Sequence, residues 1–310
     1  MSLPSTIDTA FTQQYSSMLY ILSQQTKSKF ASRVRTETVR GAKDAYYDRL
    51  GEAEVEDIST RHPATPLNEI PNTRRRVTMT DSHTNALIDH QDQLKMIINP
   101  QNPYAQMQAA ALGRKIDDKI ITAAFGTAAA GVDGTTSVSF KDESVSICGD
   151  ATVTTKGTLA SVAPSSTLAD ISLEKMLIMS RLYNDADVDP DLQKFWAISP
   201  KSLEDMLNLE EVGSADYNTL KALVPGGVDY FAGFNWFWTT RLTKDAATST
   251  GYRSLSWARD GILFGTAEGL YNQISERDDL SYAVQVYSRM SNGAVRMDGD
   301  KVHECLNKVA

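Results

Sequence analysis

The 310-residue chain is 41% hydrophobic and 23% charged, which is ordinary globular composition, and its formal net charge is −8. Nucleic-acid-binding proteins are more often basic, so the negative net charge disfavours that class of protein. The sequence contains no run of the roughly 20 apolar residues that span a bilayer and no recognisable secretory signal peptide. Its only cysteines, Cys148 and Cys305, exclude a disulfide framework, and we expect a reducing compartment.

Charged side chains are distributed unevenly near the start of the sequence. Basic side chains are concentrated between Lys27 and Arg49. An acidic cluster follows directly, at Glu52, Glu54, Glu56 and Asp57. A segment so polarised, with little apolar periodicity, packs poorly on itself, so we expect it to become ordered on a partner surface. The alternative is a solvated surface segment of a single domain.

Residues 61–98 are predicted to form an extended loop with a hairpin. Three prolines disfavour a helix there: Pro63, Pro66 and Pro71. Alternation over Thr73–Thr80 predicts one strand, Asp81–His83 has turn composition, and Thr84–Asp89 is expected to return antiparallel. Because an isolated hairpin is marginally stable in water, we expect a neighbouring surface to support this one.

The clearest helix is predicted over Pro103–Phe125. Proline suits a first helical turn, and Asn102 is expected to cap it. Apolar residues recur every four positions, at Leu112, Ile116, Ile120 and Ala124. Arg114 and Asp118 are expected to form an i,i+4 ion pair, and Gly126 to end the helix.

The rest of the chain is predicted to mix helices with short strands. A second helix is expected after Ser172, and a buried strand at Phe195–Ile198 is followed by a short helix. Another helix is expected over Tyr217–Leu223, and the aromatic run Tyr230–Trp238 predicts a core strand. Beyond Tyr252 the pattern predicts strands alone. Regular strand–helix alternation and fixed-period repeats are both missing, which predicts an α+β fold.

Motifs for enzymatic chemistry are not recognised. Neither a nucleophile elbow nor a phosphate-binding loop is present. The pair His303-Glu304 begins like a zinc-protease helix, but the second histidine is missing and the pattern predicts a half-buried strand residue. We therefore predict no catalytic residue, no metal and no cofactor.

One acidic loop, Asp185–Asp191, has calcium-loop spacing at its first three ligand positions, Asp185, Asp187 and Asp189. Pro190 stands where the sharp turn needs glycine, and Trp196 where the cage needs glutamate. A solvated loop is therefore favoured over a calcium site.

The sharpest charge feature is Arg74-Arg75-Arg76. Three interpretations remain: a nucleic-acid contact, a contact with the acidic surface of a neighbouring subunit, and solvated charge. The intersubunit contact is favoured, because a projecting hairpin needs a neighbour. Asp89 and Asp92 are the acidic residues assigned to the same intersubunit role.

The order of these elements resembles the major capsid proteins of tailed bacteriophages, whose Hong Kong-phage capsid fold is shared with encapsulins and the herpesvirus capsid floor. The resemblance covers about residues 60–306. It rests on short segments in a fixed order: Thr73–Val77, Leu87–Asp92, the helix from Pro103, Ala197–Lys201, Ser214–Leu223, Gly233-Phe234 and Gly293–Arg296.

The resemblance implies a division into functional segments. These are an N-terminal arm (1–60), an extended loop (61–98), a peripheral domain (99–189) with a spine helix (103–125), an axial domain (190–270), and a return to the peripheral domain with a C-terminal strand (271–310).

The resemblance also implies a function and partners. The expectation is a non-enzymatic major capsid protein that forms hexamers and pentamers of an icosahedral shell, enclosing double-stranded DNA without specific binding. A separate scaffolding protein is expected, because only about 60 residues precede the loop, together with a portal and possible decoration proteins but no membrane. The virion is the expected location, after assembly in the bacterial host cytoplasm. An encapsulin-like compartment and a soluble α+β enzyme are the alternatives.

Overall fold

The computed structural model of the chain describes residues 22–55, 57, 60–61, 67, 69–89, 101–147, 170–209, 223–224, 227–228, 230–244 and 251–308. The helices are α1 (Gln101–Phe125), α2 (Phe140–Glu143), α3 (Leu173–Asp185) and α4 (Pro200–Leu207). The first eight strands are β1 (Arg35–Thr38), β2 (Asp44–Leu50), β3 (Asn72–Thr78), β4 (Thr80–Ile88), β5 (Ala128–Ala130), β6 (Thr136–Val138), β7 (Ser146–Ile147) and β8 (Lys194–Ile198). The others are β9 (Leu223–Val224), β10 (Gly227–Val228), β11 (Tyr230–Phe231), β12 (Phe234–Trp238), β13 (Gly251–Ala258), β14 (Ile262–Arg277), β15 (Ala283–Arg296) and β16 (Val302–Lys308). The predicted α+β class is confirmed.

A four-stranded sheet in the order β1-β14-β15-β4 carries the long helix. Strands β14 and β15 form an antiparallel ribbon, with β1 parallel to β14 and β4 antiparallel to β15. Helix α1 buries Leu112, Ile120 and Ala124, three members of the predicted apolar stripe. It is also tied to the ribbon by Gln108, whose side-chain amide donates to the carbonyl of Val286 at 3.0 Å.

A six-stranded mixed sheet in the order β11-β12-β8-β13-β16-β7 forms the centre of the molecule. Strand β8 reads as a continuous apolar run because both of its faces are buried. Phe195 and Ala197 join the cluster that contains Ile120 of α1, whereas Trp196 joins the cluster under α3 and α4. The two hydrophobic cores therefore meet back to back at one strand.

The third sheet, in the order β2-β3-β5-β6, projects a hairpin whose pairing differs from the prediction. Strand β3 pairs with β2, which lies upstream, and strand β4 pairs with β15 of the first sheet. The predicted hairpin between residues 73–80 and 84–89 is therefore wrong, and Asp81–His83 lie inside β4 instead of at a turn. Their turn-like composition reflects an edge strand with a polar outer face, since the burial along β4 alternates.

The arm predicted over residues 1–60 is partly built into the fold. Phe30 is fully buried, β1 belongs to the first sheet, and β2 is one strand of the projecting hairpin. The segment between Lys27 and Arg49 thus carries the buried Phe30, Val34 and Val39 among exposed and half-buried basic residues, instead of forming a detached arm. Phe30 and Val34 of this segment belong to a hydrophobic core cluster and so attach it to the body of its own chain.

Details of α1 also depart from the sequence expectations. The helix begins at Gln101, so Asn102 lies within its first turn and does not cap it. Arg114 and Asp118 do not pair: Asp118 accepts from Arg241, and Arg114 donates to the backbone of Gln25. The segments that contain Gln25 and Arg241 lie against the helix here, and they supply the partners of Arg114 and Asp118.

The predicted helix at Tyr217–Leu223 lies outside the described residues apart from Leu223, which begins β9. No helix in the described part of the chain is both long and apolar enough to cross a membrane.

Candidate assembly surfaces

The three consecutive arginines of β3 occupy three different environments. Strand geometry places Arg75 on the same face as the buried Val77, and the side chain of Arg75 is only 3% exposed. Its guanidinium donates to the carboxylate of Glu143 and to the carbonyl of Met297. Arg75 therefore holds the projecting hairpin to the body of its own chain, although it was predicted to face a neighbouring subunit.

A second buried arginine completes this anchor. Arg296 is fully buried and donates to the carbonyls of Ala124 and Gly126 at the end of α1, at 2.8 and 2.9 Å. Its guanidinium also lies 3.5 Å from Glu143, so one carboxylate serves Arg75 and Arg296 together. Burial lowers the pKa of Arg296, and the charge of Glu143 opposes that shift.

Arg74 and Arg76 lie on the outer face of β3. Arg74 forms an exposed ion pair with Asp48 of β2, at 2.6 Å, and this hydrogen bond lowers the pKa of Asp48. The pair therefore stays charged at neutral pH. Arg76 is half-buried and packs against Gly134, where an added Cβ atom would come within 2.8 Å of the arginine stem.

The acidic residues assigned to intersubunit contact lie elsewhere. Asp89 is exposed just after β4, in a different sheet from the arginines, and it forms no ion pair with them among the described residues. Asp92 lies outside the described residues. The structure thus groups Arg74 to Arg76 in one strand but does not bring Asp89 to them.

Two projections of the molecule expose large apolar side chains. The tip of the β2–β3 hairpin carries Leu50, Val55, Leu67 and Ile70, and Val55 is 91% exposed. The far end of the β14–β15 ribbon carries Leu270, Tyr271, Ile274, Leu280 and Tyr282. Groups of exposed large apolar side chains are typical of protein–protein contact sites. The sequence analysis considered only the charges of this region and did not predict these surfaces. The apolar Leu50 and Val55, beside the acidic cluster at Glu52–Asp57, could have indicated the first of them.

A buried carboxylate on α1 holds residues 25–30 against the helix. Asp117 of α1 accepts hydrogen bonds from four donors in residues 25–30, including the backbone N–H groups of Lys29 and Phe30. Sequence reasoning missed Asp117. The signal was an acidic residue four positions before the buried Ile121 and four after Gly113, where an added Cβ atom would lie 3.3 Å from the backbone nitrogen of Ser28.

The acidic loop and His303 were the remaining sequence candidates. In the loop, Asp185 lies 3.7 Å from Arg181, and Asp189 accepts from the backbone of Asp191. His303 is 2% exposed, more deeply buried than predicted, with its ring 4.8 Å from that of Tyr183. Among the described residues, no group of three or more His, Cys, Asp and Glu side chains is placed to hold a metal ion.

Several solved phage capsids have the same fold. The capsid protein of cyanophage P-SCSP1u superposes with a TM-score of 0.72 at 14% identity, covering 99% of this chain and 96% of that chain. The protein of the cyanophage Pam1 capsid gives 0.70 at 13% identity, with 100% of both chains covered. The capsid protein of Ralstonia phage GP4 gives 0.68 at 12% identity, covering 100% of this chain and 98% of that chain. No curated protein sequence matches the chain.

These superpositions show that the chain has the Hong Kong-phage capsid fold, as the sequence resemblance implied. The family model for phage capsid proteins matches residues 7–309, so the chain belongs to the phage capsid protein family. It is a major capsid protein, a structural component of the virion that self-assembles into the capsid shell. The encapsulin-like and enzymatic alternatives are not favoured.

Proposed function

We propose that the chain forms the hexamers and pentamers of an icosahedral shell that encloses double-stranded DNA, and that it has no enzymatic activity. The observation that carries this proposal is the projecting β2–β3 hairpin. Its inner end is held by the buried Arg75 and Arg296 through the half-buried Glu143, whereas its tip exposes Leu50 and Val55. A rigidly anchored projection with an apolar end buries that end only when a neighbouring subunit covers it.

The proposal assigns a role to each segment of the chain. The boundaries of the extended loop differ from those expected from the sequence. The extended loop corresponds to the hairpin over residues 44–78, upstream of the range 61–98 expected from sequence. Residues 99–189 and 271–310, which include α1 and β15, are proposed to form the peripheral domain, and residues 190–270 the axial domain; β14 (Ile262–Arg277) runs across that boundary. Residues 1–43 remain as the N-terminal arm, whose inner part is anchored at Asp117.

Among the arginines, Arg74 and Arg76 are proposed to contact a neighbouring subunit, since both lie on the outer face of β3. Asp89, which follows the last residue of β4, is proposed for the same role, as is Asp92, which lies outside the described residues. Arg75 is assigned to the anchor of its own hairpin instead, because its side chain is buried against Glu143.

The partners of the proposed shell are a separate scaffolding protein, a portal and possible decoration proteins, with assembly in the bacterial host cytoplasm. The net charge of −8 supports enclosure of DNA without specific binding, because a neutral-to-acidic wall does not hold the phosphate backbone.

Negative-stain electron microscopy with sedimentation tests the proposal. Purified protein should give closed shells, tubes or capsomer rings, and particles from infected cells should contain nuclease-protected DNA. Particles filled with a protein cargo would favour an encapsulin-like compartment, and a stable dimer with an enclosed polar pocket would favour an enzyme. Homogeneous shells from this chain alone would contradict the need for a scaffolding protein.

A further inference from the structure

We propose that a cavity beside β3 binds a free phosphate ion, with Arg49 and Arg75 as its principal hydrogen-bond donors. The inference goes beyond the proposed function, because it assigns a ligand to the single subunit and does not depend on shell assembly. The cavity has a volume of about 490 Å³ and lies between the β2–β3 hairpin, the β5–β6 turn and α2. Its charged lining consists of three guanidinium groups and two carboxylates, those of Arg49, Arg74, Arg75, Asp48 and Glu143.

The pairing of β2 with β3 places two of these arginines on one face of the hairpin. Arg49 lies directly opposite Thr73, and Arg75 is two residues further along β3, so the three side chains share a face. Arg74 and Asp48 occupy the other face, where they pair with each other. Arg49 and Arg75 are thus diagonal neighbours, whose backbone positions lie about 7–8 Å apart. One anion can reach both guanidinium groups across that separation.

The same two arginines converge on shared acceptors of the subunit body. Arg49 donates to the carbonyl of Met297, and Arg75 donates to it as well, at 3.4 Å. The carboxylate of Glu143 accepts from Arg75 and lies 3.9 Å from Arg49, at the limit of an ion pair. Glu143 also lies 3.5 Å from Arg296, so one carboxylate serves three guanidinium groups. Positive charge beside the cavity therefore exceeds what this carboxylate neutralises.

Other carboxylates near the cavity have partners of their own. Asp48 pairs with Arg74, and this hydrogen bond raises the pKa of Arg74, a shift to which the charge of Asp133 adds. Asp142 accepts hydrogen bonds at the start of its own helix, α2. Arg49 is therefore left with the shared carboxylate alone.

Donors remain for a ligand on both arginines. A guanidinium group carries five N–H donors in a planar fork. Within the described part of the chain, Arg75 uses only its Nε and Nη2 groups, and Arg49 uses only Nη1. The side chain of Arg75 is 4% exposed, whereas that of Arg49 is 30% exposed. Arg49 is thus the donor that an entering anion meets first, and Arg75 is a second donor shielded from solvent.

Phosphate matches this arrangement of donors. Its oxygens accept paired hydrogen bonds from one guanidinium fork and further hydrogen bonds from a second. A single ion of this kind would supply the counter-charge that Glu143 shares out, and would strengthen the attachment of the hairpin to the body. Phosphates of DNA are the competing source. They are disfavoured because Asp48 and Glu143 lie in the same lining and repel an extended row of negative charge.

Calorimetric titration of the purified, unassembled chain with inorganic phosphate, at constant ionic strength, tests the site. We expect saturable binding, and an unfolding midpoint that rises with phosphate concentration because the ligand binds the folded state. Arg49→Gln should weaken binding at least about tenfold, the cost of losing a hydrogen bond to a charged group. The matched control is Arg181→Gln, since Arg181 lies 3.7 Å from Asp185 on α3, away from the cavity, and this variant should bind phosphate as the parent does.

Val132 provides a second pair of variants that leaves every arginine in place. Its side chain is 78% exposed at the cavity, so Val132→Glu and Val132→Gln should both fold as the parent does. Val132→Glu should weaken phosphate binding about two- to fivefold by charge repulsion, the size of a partly exposed charge interaction. Val132→Gln is similar in size but neutral, and it should retain the parent affinity. Equal affinities for these two variants would overturn the placement of the ion in this cavity.

Three further results would overturn the proposal. The first is an absence of saturable phosphate binding, and the second is equal weakening by Arg49→Gln and Arg181→Gln, which indicates a general effect of charge. The third is Arg49-dependent binding of a DNA duplex that inorganic phosphate does not displace. Electron microscopy scores assembly separately: shells from a chain that binds no phosphate would leave the proposed function standing.

Discussion

The carboxylate of Asp117, fully buried on α1, accepts the backbone N–H of Phe30 at 3.2 Å. Gln25, Ser28 and Lys29 supply the other donors to the same carboxylate. The ring of Phe30 packs against those of Phe237 and Trp257, at centroid distances of 5.1 and 5.3 Å. One side chain of α1 therefore holds residues 25–30 against the helix.

Replacing Asp117 with Ala should destabilise the subunit by about 3 kcal/mol, because buried N–H groups lose their acceptor. Asp117→Asn retains one acceptor oxygen and should cost less. Denaturant unfolding measures the loss, and limited proteolysis should show earlier cleavage near residues 25–30. Unchanged stability and cleavage in Asp117→Ala would show that the segment is held by Phe30 packing alone.

Removing the shared carboxylate should release the hairpin anchor. Glu143→Gln leaves Arg75 and Arg296 buried without a counter-charge, which should lower the free energy of unfolding by about 3 kcal/mol. Arg74→Ala removes only an exposed pair with Asp48 and should cost less than about 1 kcal/mol. Equal losses in the two variants would contradict the buried anchor.

Alanine at the three arginines together should therefore reduce both folding and assembly, since Arg75 is buried whereas Arg74 and Arg76 face outward. The informative variant is Arg74→Ala with Arg76→Ala, which retains Arg75. We expect this variant to impair shell formation, as scored by electron microscopy, while its unfolding midpoint stays near that of the parent. Normal shells would contradict the intersubunit role of these two residues.

A close backbone crossing joins the projecting sheet to the ribbon. A Cβ atom at Gly293 of β15 would overlap the carbonyl oxygen of Thr78 at the end of β3. Gly293→Ala should thus destabilise the subunit by about 1–3 kcal/mol through overpacking. Gly269→Ala is the matched control, because nothing lies within 4 Å of its added methyl group. Equal unfolding midpoints for the two variants would contradict the crossing.

Alkaline pH should destabilise the subunit through Tyr183. Burial raises the pKa of this phenol far above its ordinary value near 10, although the hydrogen bond with Ser256 opposes the shift. The folded state therefore keeps a proton that the unfolded chain releases above pH 10. Tyr183 therefore does not change the free energy of unfolding below pH 10. Above pH 10 it lowers the free energy of unfolding by about 1.4 kcal/mol per pH unit.

Tyr183→Phe is the control for this dependence. The variant loses the Ser256 hydrogen bond, worth about 1 kcal/mol, at every pH. Its free energy of unfolding should nevertheless fall less steeply above pH 10 than that of the parent. Parallel pH profiles for the two proteins, measured by urea unfolding, would contradict the assignment.

Local elements of the fold could be predicted because their signals are local. Ser172 accepts from the backbone of Lys175 at the start of α3, and Ser199 does the same for Ser202 at the start of α4. The apolar stripe of α1 likewise depends on spacing within one helix. Caps and periodicity operate within a few residues, so the sequence alone reveals them.

Strand partners could not be predicted, because pairing is set by contacts distant in sequence. Strand β3 pairs with β2 instead of β4, and the chain passes from one sheet to another between Thr78 and Thr80. Arg75 shares the face of Val77, which was a signal for burial, but its partner Glu143 is 68 residues further on. Asp117 likewise depends on a segment about 90 residues upstream.

Cryo-electron microscopy of particles assembled from this chain, with a scaffolding protein co-produced, tests the central claim most directly. The expected result is closed icosahedral shells in which the β2–β3 hairpin of each copy covers an adjacent copy and buries Val55. Discrete small oligomers that leave the hairpin tip exposed, under all assembly conditions, would contradict it.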